Sequence, residues 1–286
     1  MQQAAPQGGE SRQSAGEIAR PQPVAPRLAS PSHNAAPAST LPPASQFLTN
    51  TRTAESGQPY DISLKPEHLL GRGQFSVGVR LAQAAGEPRA AKQIADEKQA
   101  RREFQVHQDL ASHPAGPSPY LVKAFDIAVQ YKGSSHLLME SFSGPDGETA
   151  LNTLLEDPSK SGPQKAAEIL DTARHYVIAL GELNRRGYQH GDTDNLKNFF
   201  SEGPRIALGD YGLSRKLGAP ANPATLGQLH SDRFGLGMLL SRMQKTAEGA
   251  GVFVPGLRIA ANALMSGTST TQLRNNWAQV EAAQRD

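Results

Sequence analysis

Prolines are concentrated at one end of this 286-residue chain, and this distribution limits how much of it can form a packed core. Residues 1–60 contain nine of the 21 prolines, many Ala, Ser and Gln, and only two aromatic residues, Phe47 and Tyr60. Such a segment buries too little apolar surface to offset an ordering entropy of roughly 1–2 kcal/mol per residue. We therefore expect a disordered leader over 1–60 and a folded domain over 61–286.

The leader has two interpretations. Its composition alone favours a plain linker or extension, and the alternative is an export signal for a secretion route that uses unstructured, uncleaved N-termini. The N-terminus lacks the basic and apolar regions of a cleaved secretory signal. No apolar run approaches the roughly 20 residues needed to cross a bilayer, so we expect no membrane insertion.

Composition also excludes several chemistries. The chain has no cysteine, which excludes a disulfide framework, thiolate zinc ligands and a cysteine nucleophile. The 29 Lys and Arg residues against 27 Asp and Glu give a net charge of +2. A field this weak argues against nucleic-acid binding as the main activity.

The first half of the folded part has the pattern of a small sheet with one helix. Leu69–Val77 predicts a strand, a glycine turn and a returning strand, and Ala90–Ile94 predicts a further short strand. Apolar residues at helical spacing predict a helix over Lys98–Leu110. Two more strand-like runs follow, at 121–128 and 136–142, and complete a lobe over about 61–142.

The second half, 143–286, is mostly helical in its pattern. Ser161 and Gln164 have capping-box spacing, and an apolar stripe continues from them to Arg185. Gly187 can end that helix. A strand is expected over 205–208, and helical stretches near 230–247 and 256–283.

Seven residues become informative through their order along the chain. Transfer of a phosphoryl group from ATP requires a glycine-rich turn that approaches phosphates, a lysine held by a carboxylate, a carboxylate for the acceptor hydroxyl, and a magnesium site. The chain supplies these residue types in the order known for protein kinases. They are Gly71, Gly73, Lys92, Glu103, Asp192, Asn198 and Asp210.

Six segments in register resemble the protein kinase superfamily over about residues 66–245. The segments are the glycine loop Leu69–Val77 with the lysine strand Ala90–Lys92, the helix Arg102–Pro114, the hinge Leu137–Phe142, His190-Gly191-Asp192, Asp210-Tyr211-Gly212, and Ser231–Gly237. The resemblance implies an α+β, two-lobed protein-kinase-like fold with a β-rich N-lobe and a reduced, mostly helical C-lobe.

The resemblance also implies roles for individual residues toward ATP and Mg²⁺. Asp192 would orient the acceptor hydroxyl, and Lys92, fixed by Glu103, would contact the phosphates. Asn198 and Asp210 would hold the metal. The expected nucleotide contacts are Gly71, Gly73, Phe75 and Ser76 over the phosphates, Met139 at the back of the adenine pocket, and Glu140 and Phe142 at its edge.

Departures from the kinase pattern concern the nucleotide roof and the catalytic loop. Ser76 replaces the third loop glycine, and Gly78 stands where a valine usually covers adenine. The usual step from Asp192 to the metal-binding asparagine lands on Lys197, which implies one extra residue before Asn198 and leaves Asn195 as a rival ligand. Asp194 occupies the place of the usual lysine, whose charge Lys197 could supply.

Two further departures concern regulation and the acceptor groove. Gly191 replaces the arginine that commonly reads activation-loop phosphorylation, so we expect an enzyme that needs no such switch. Only 19 residues separate Gly212 from Asp232, and no Ala-Pro-Glu occurs between them. The segment that usually binds the acceptor is therefore abbreviated.

These features together are similar to those of bacterial type III secreted effector kinases, and most like the minimal effector kinases of plant-associated bacteria. That resemblance implies a monomeric Ser/Thr kinase secreted into the host cytoplasm and acting on a host protein, with the ninety-kilodalton heat-shock chaperone as a candidate. Two alternatives stay open. They are a small-molecule phosphotransferase of the aminoglycoside- or choline-kinase type, and a catalytically dead binding module.

Overall fold

The computed structural model describes residues 49–73, 76–129, 134–219 and 222–285, and its first lobe is a curled antiparallel sheet. Among these residues the sheet has seven strands in the order β1-β2-β4-β5-β7-β6, with β3 paired to β4. The strands are β1 (Thr49–Thr53), β2 (Pro59–Ser63), β3 (Leu69–Gly73), β4 (Ser76–Ala84), β5 (Glu87–Ile94), β6 (Ala124–Ala128) and β7 (Ser135–Met139).

The helix α1 (Glu97–Ala111) packs against this sheet. It begins where Asp96 accepts hydrogen bonds from the backbone N–H groups of Lys98 and Gln99, which satisfies two donors of the first turn. Its buried face is Ala100, Glu103, Val106, His107 and Leu110. A carboxylate and an imidazole thus lie on the inner side of an otherwise apolar stripe.

The leader expected over 1–60 includes residues that belong to the folded domain. Residues 49–53 and 59–63 form β1 and β2, which pair with each other, and β2 joins β4. Tyr60 is only 1% exposed and packs with Ile62 and Ala54 in a small core. Averaging composition over 1–60 hid the proline-free run 44–58, in which a threonine-rich strand can form. Residues 1–48 lie outside the described residues.

The second lobe is built around one buried helix, α3 (Gly162–Arg185). It has the predicted capping box of Ser161 and Gln164, and it is followed by Gly187 with a φ of +82°. The other helices are α2 (Gly147–Glu156), α4 (Pro223–Gly249), α5 (Pro255–Met265), α6 (Thr270–Asn275) and α7 (Trp277–Arg285). Short strand pairs complete the lobe: β8 (Tyr188–Gln189) with β11 (Arg215–Lys216), and β9 (Phe199–Glu202) with β10 (Arg205–Leu208).

Two of the expected helical stretches differ in extent. The helix expected near 230–247 begins at Pro223, because Asn222 caps its first turn. The stretch expected near 256–283 is three helices. Gly267, at φ +99°, follows the first, and a capping box of Ser269 and Gln272 begins the second. Among the described residues, no helix combines the length and apolarity needed to span a membrane.

Candidate active site

The lysine strand and the glycine hairpin are aligned across the sheet. Gly71 of β3 lies opposite Val79 of β4, Val79 lies opposite Lys92 of β5, and Lys92 lies opposite Leu137 of β7. Since side chains alternate faces along a strand, this register decides the face on which Lys92 lies.

A three-residue ionic cluster lies on that face. The Lys92 ammonium is 2.7 and 2.8 Å from the two carboxylate oxygens of Glu103 on α1, and 2.7 Å from Oδ1 of Asp210. Lys92 and Glu103 are 3% and 1% exposed, whereas the Asp210 side chain is 35% exposed. The cluster therefore joins the sheet, the helix and the segment after β10, and opens toward solvent at Asp210.

Burial and pairing compete in setting the charges of this cluster. Burial lowers the pKa of Lys92, but the two carboxylates outweigh it and hold that pKa above its ordinary value. Burial acts to raise the pKa of Asp210, and the ammonium overcomes it and holds the pKa below the usual range. Burial raises the pKa of Glu103 against the opposing effect of Lys92. Lys92 is thus a fixed cation and Asp210 a fixed anion at neutral pH.

The loop 190–198 is held in place by a buried carboxylate on α4. Asp232, 1% exposed, accepts hydrogen bonds from the backbone N–H of His190 at 2.8 Å and of Gly191 at 3.0 Å. The Thr193 hydroxyl donates to the Asp232 carbonyl oxygen at 2.7 Å. Charged acceptors make the stronger protein hydrogen bonds, so one side chain fixes the start of this loop.

His190 joins the loop to the segment that carries Asp210. Its Nε2 donates to the carbonyl oxygen of Gly209 at 2.9 Å, and its Nδ1 accepts the backbone N–H of Asp192 at 3.2 Å. The Gly209 N–H in turn donates to the carbonyl oxygen of Asn198 at 2.8 Å. Both ends of the loop are therefore bound to the residue that precedes Asp210.

Asn198 and Asp192 form the polar pair of this loop. Asn198 Nδ2 donates to the Asp192 carboxylate and to its carbonyl oxygen, both at 2.8 Å, and Asn198 is 2% exposed. The rival, Asn195, uses its side-chain oxygen to cap the short 3₁₀ turn Leu196–Asn198 by accepting from the Lys197 N–H. The Asn195 side-chain amide also donates to the Asp192 carboxylate, at 3.3 Å, so both asparagines contact Asp192.

Asp210 has a left-handed backbone conformation, with φ 58° and ψ 69°. A non-glycine residue in this region costs on the order of 1–3 kcal/mol and persists only where its surroundings hold it. Here the preceding Gly209 is fixed from both sides, and the following Tyr211 is buried with its hydroxyl bonded to the Leu208 carbonyl oxygen at 2.6 Å. The carboxylate is thereby directed at Lys92.

Three buried rings, of His107, Tyr211 and His190, pack together behind the polar residues. The Tyr211 ring centroid is 4.7 Å from that of His107 on α1 and 6.0 Å from that of His190. His107 Nδ1 donates to the Val122 carbonyl oxygen, and burial lowers the pKa of this histidine to about 3. His107 was not predicted as a site residue and lies on the buried face of α1. Its position four residues after Glu103 was the available signal.

The expected adenine contacts lie where the two lobes join. Met139 is 9% exposed and pairs with Ala90 and Ala124 in the sheet. The Glu140 carboxylate binds Arg205 of β10 at 2.5 and 3.0 Å. The Phe142 ring lies under the same guanidinium and beside Phe200. The Glu140 and Phe142 side chains are therefore occupied by contacts with Arg205 and Phe200. Nucleotide contacts from these two residues would come from their backbone.

Only the backbone of the glycine loop is described. Gly71 and Gly73 lie in β3, Ser76 begins β4, and Gly73 pairs with Ser76. Phe75, expected to cover the phosphates, lies outside the described residues. Gly78, at the expected adenine roof, lies opposite Gln93 of β5.

The structure explains one departure from the kinase pattern in the loop 190–198 and shows the partners of two others. Gly191 has a φ of +86°, and a Cβ there would meet the Leu213 carbonyl oxygen at 2.8 Å, so this position favours glycine. Lys197 does not take the expected place beside Asp192: its ammonium lies 3.0 Å from Glu148 on α2 and is exposed. Asp194 faces Arg242 of α4 at 3.5 Å.

The donor set fits a magnesium ion that is also held by phosphates. Among the described residues, no group of three or more His, Asp or Glu could hold a metal by itself. Mg²⁺ is usually bound by one or two carboxylates together with substrate phosphates and water. Asp210, which is partly exposed, and the Asn198 side chain would supply oxygen ligands to such an ion.

Two cavities lie away from the ionic cluster and the loop 190–198. Volumes of about 300 and 230 Å³ lie between α2 and α3, and both are lined by Gly147, Ala150, Glu168 and Thr172. Neither includes Lys92, Asp192 or Asp210.

Comparison with known structures identifies the fold. The kinase domain of a rhoptry antigen specific to Toxoplasma gondii is similar, with a TM-score of 0.62 and 12% sequence identity over 83% of this chain and 86% of that chain. The chain thus has the two-lobed, protein-kinase-like fold expected from its sequence. No protein-family model and no curated protein matches the sequence.

Proposed function

We propose that this protein is an ATP- and Mg²⁺-dependent protein kinase with Ser or Thr acceptors. One observation carries the proposal: the Lys92 ammonium is held between Glu103 and Asp210, while Asp210 is linked through Gly209 to the loop bearing Asp192 and Asn198. Residues 118 positions apart thus form one polar cluster, as phosphoryl transfer requires.

Each residue then has a distinct task. Asp192 accepts or orients the proton of the acceptor hydroxyl, and Asn198 holds its carboxylate in position. Lys92, fixed by Glu103, neutralises phosphate charge, and Asp210 and Asn198 hold the metal. When bound, Mg²⁺ neutralises charge on the phosphates. Catalysis comes mainly from positioning and preorganised charge.

The first test replaces the proposed base. We expect Asp192→Ala to lower transfer from labelled ATP to protein by about a hundredfold or more, since a positioned general base contributes about 10²–10⁴-fold. ATP binding, measured by calorimetry, should persist. Asp171→Ala, which removes an exposed carboxylate from α3, is the matched control. Undiminished transfer by Asp192→Ala would refute the assigned role.

The second test separates the two asparagines. We expect Asn198→Ala to raise the Mg²⁺ concentration needed for half-maximal transfer, because it removes a proposed metal ligand. Asn195→Ala removes a turn cap and a hydrogen bond of 3.3 Å to the Asp192 carboxylate but no proposed metal ligand, so it should leave that concentration unchanged. The reverse result would assign the metal to Asn195.

The identity of the acceptor rests on the family resemblance. We propose delivery by a type III secretion system into the host cytoplasm, action as a monomer, and a host protein acceptor, with the ninety-kilodalton heat-shock chaperone as the first candidate. Phosphoproteomics of eukaryotic cells expressing wild type or Asp192→Ala tests activity and acceptor together. Export that is unchanged after deletion of residues 1–48 would remove the role of the leader.

A small-molecule phosphotransferase is the second candidate, because the sequence His190-Gly191-Asp192 also occurs in aminoglycoside- and choline-kinase-like enzymes. Incubation with labelled ATP and either kanamycin, choline or a protein extract separates the two functions. Label on a small molecule alone would favour the second candidate.

A further inference from the structure

The last turn of α1 is bound to the second lobe by a buried arginine. Arg186 directly follows α3, and its side chain is only 3% exposed. Its guanidinium donates to the carbonyl oxygen of Leu110 at 2.8 Å and to that of Gly116 at 2.7 Å. The last carbonyl groups of a helix have no partner within it, and Leu110 lies in the last turn of α1. Arg186 therefore supplies this turn with a donor from the other lobe.

The contacts of Arg186 are suited to a guanidinium and not to an ammonium group. Glu182, one turn earlier on α3, accepts a hydrogen bond from Arg186 Nε at 2.7 Å, so a buried carboxylate balances the buried cation. A guanidinium has five donors in a planar fork, which lets it bind this carboxylate and two carbonyl oxygens at once. The neighbouring Arg185 binds the same carboxylate, but its side chain is 55% exposed.

Asp109 attaches the same turn of α1 at its side. The Tyr188 hydroxyl donates to the Asp109 carboxylate at 2.5 Å, and the Lys216 ammonium lies 3.1 Å from the same oxygen. Tyr188 and Lys216 are paired across β8 and β11. The bond from Tyr188 is the main cause that holds the pKa of Asp109 below its ordinary value. Arg186 holds the end of the helix and these residues hold its side, so together they resist both sliding along the helix axis and rotation about it.

One short segment of the second lobe contacts both α1 and the catalytic loop. Arg186 and Tyr188 hold α1, and His190 and Asp192 follow them closely in the chain. The His190 N–H is bound by Asp232, which fixes the start of that loop. The position of α1 is thus tied to the segment that carries the proposed base.

Glu103 is sensitive to this attachment because it lies far from it along the helix. The distance from Leu110 to Glu103 is about 10 Å along α1, at roughly 1.5 Å per residue. A tilt of α1 by about 10° about Leu110 would move Glu103 by about 2 Å. A movement of that size breaks the hydrogen bonds of 2.7 and 2.8 Å between Glu103 and Lys92.

Other contacts of α1 restrain it less. Near its N-terminus, Arg101 and Glu55 form an ion pair, but both side chains are nearly half exposed, so the pair adds little. In the middle of α1, the His107 ring packs on Tyr211 with centroids 4.7 Å apart. Packing of this kind is less directional than the hydrogen bonds at the end of the helix.

We infer that Arg186 and Asp109 are positioning residues of the proposed kinase, which fix the last turn of α1 and so keep Glu103 on Lys92. This inference rests on the proposed kinase function. It gives a physical basis to the expectation that no phosphorylated activation loop is needed, because the second lobe holds α1 through unmodified side chains.

Spin labels on α1 and α3 measure this positioning directly. The chain has no cysteine, so Arg102→Cys on α1 and Ala167→Cys on α3, both at exposed positions, place two labels in the full-length protein. Pulsed electron paramagnetic resonance gives the distribution of distances between them. In phosphatase-treated protein we expect one narrow distribution, which Mg²⁺ and a non-hydrolysable ATP analogue leave unchanged. Arg186→Lys should broaden it by about 2 Å or more, the displacement derived for Glu103.

Arg185→Lys is the matched control. Arg185 is adjacent in the chain, carries the same charge and binds the same Glu182 carboxylate, but its side chain is exposed. Its replacement should leave the distribution unchanged. Tyr188→Phe removes only the hydroxyl that binds Asp109, and should broaden the distribution less than Arg186→Lys. This variant also tests the attachment if Arg186→Lys does not fold.

Transfer kinetics test whether the attachment acts through Glu103. We expect Arg186→Lys to lower kcat for protein phosphorylation at least about tenfold, since a misplacement of about 1 Å can cost a hundredfold. Arg185→Lys should lower kcat less than about twofold. When Glu103 is already replaced, as Glu103→Gln, adding Arg186→Lys should lower kcat less than about twofold further. A merely structural role would instead multiply the two losses.

The outcomes separate the two proposals. A distance distribution in Arg186→Lys identical to that of wild type, or losses that multiply in the double variant, would overturn the positioning role while leaving the kinase proposal intact. Absence of transfer by wild type would instead overturn the kinase proposal, and the distances would still show whether Arg186 fixes α1. Circular dichroism and the melting temperature of each variant establish that the compared proteins are folded.

Discussion

The two halves of the candidate site are held by different forces. The ionic half, Lys92 with Glu103 and Asp210, depends on charges that compensate one another in a buried setting. The hydrogen-bonded half, the loop 190–198 on Asp232, depends on backbone N–H groups directed at one buried carboxylate. Substitutions should therefore act strongly and cooperatively in the first half, and more locally in the second.

The largest expected effect is in the ionic half. Lys92→Met leaves Glu103 buried without its partner and should lower the free energy of unfolding by about 3–5 kcal/mol. Replacing both residues, as Lys92→Met/Glu103→Leu, should restore about 2 kcal/mol or more, since the one charge of the cluster that then remains, on Asp210, is 35% exposed and can be hydrated. Urea denaturation of Lys92→Met, Glu103→Leu and the double variant measures the coupling between the two residues. Additive losses would show that the two charges act independently.

A smaller effect is expected in the hydrogen-bonded half. Asp232→Asn turns one acceptor oxygen into a donor facing other donors, and hydrogen bonds to a charged group contribute about 1.5–3 kcal/mol. We expect a loss of about 2–3 kcal/mol, again by urea denaturation. The exposed Asp194→Asn, which weakens only a surface pair with Arg242, should cost less than about 1 kcal/mol. Equal losses for the two variants would contradict the anchoring role of Asp232.

Taken over one pH unit, the smallest of the three effects on stability is the pH dependence contributed by His107, which lies behind both halves. Burial lowers its pKa to about 3, so the unfolded chain binds a proton below about pH 6.5 that the folded protein does not. Stability should fall as pH falls from about 6.5 toward 3, by up to about 1.4 kcal/mol per pH unit from this residue.

His107→Leu isolates that contribution. It should flatten the dependence of the unfolding free energy on pH, measured by urea denaturation from pH 7 to 4.5. His136→Leu is a second comparison, because burial lowers the pKa of His136 to about 4 in a different part of the sheet. An unchanged slope in His107→Leu would show that this ring takes up a proton while still buried.

The pairing of Lys92 with Glu103 was expected from the resemblance to protein kinases, and both residues lie in short local patterns that the structure contains. Lys92 follows a glycine hairpin by a fixed number of strand residues, and Glu103 lies on a clearly amphipathic helix. The capping box at Ser161 is likewise local, and it appears in the structure as expected. The kinase-like fold follows from the order of these patterns.

Contacts that join distant segments could not be predicted in this way. Glu140 and Arg205 are 65 positions apart, and nothing in either local pattern indicates that they meet at the hinge. The pairing of Lys197 with Glu148 likewise depends on where α2 packs. The helix α2 was missed although Asp146 caps it by accepting from the Thr149 N–H. The strand β1 was missed because it borders a proline-rich segment.

The row that aligns Gly71, Val79, Lys92 and Leu137 has an evolutionary consequence. Because neighbouring strand positions alternate faces, deletion of a single residue between Ala84 and Glu87 would displace the pairing by one position if the strands did not bulge. The lysine would then exchange faces with Ala91 or Gln93. Insertions and deletions should therefore be rarer in this short connection than in the segment between β6 and β7, where a shift would change the pairing of β6 with β7 and leave Lys92 opposite Leu137.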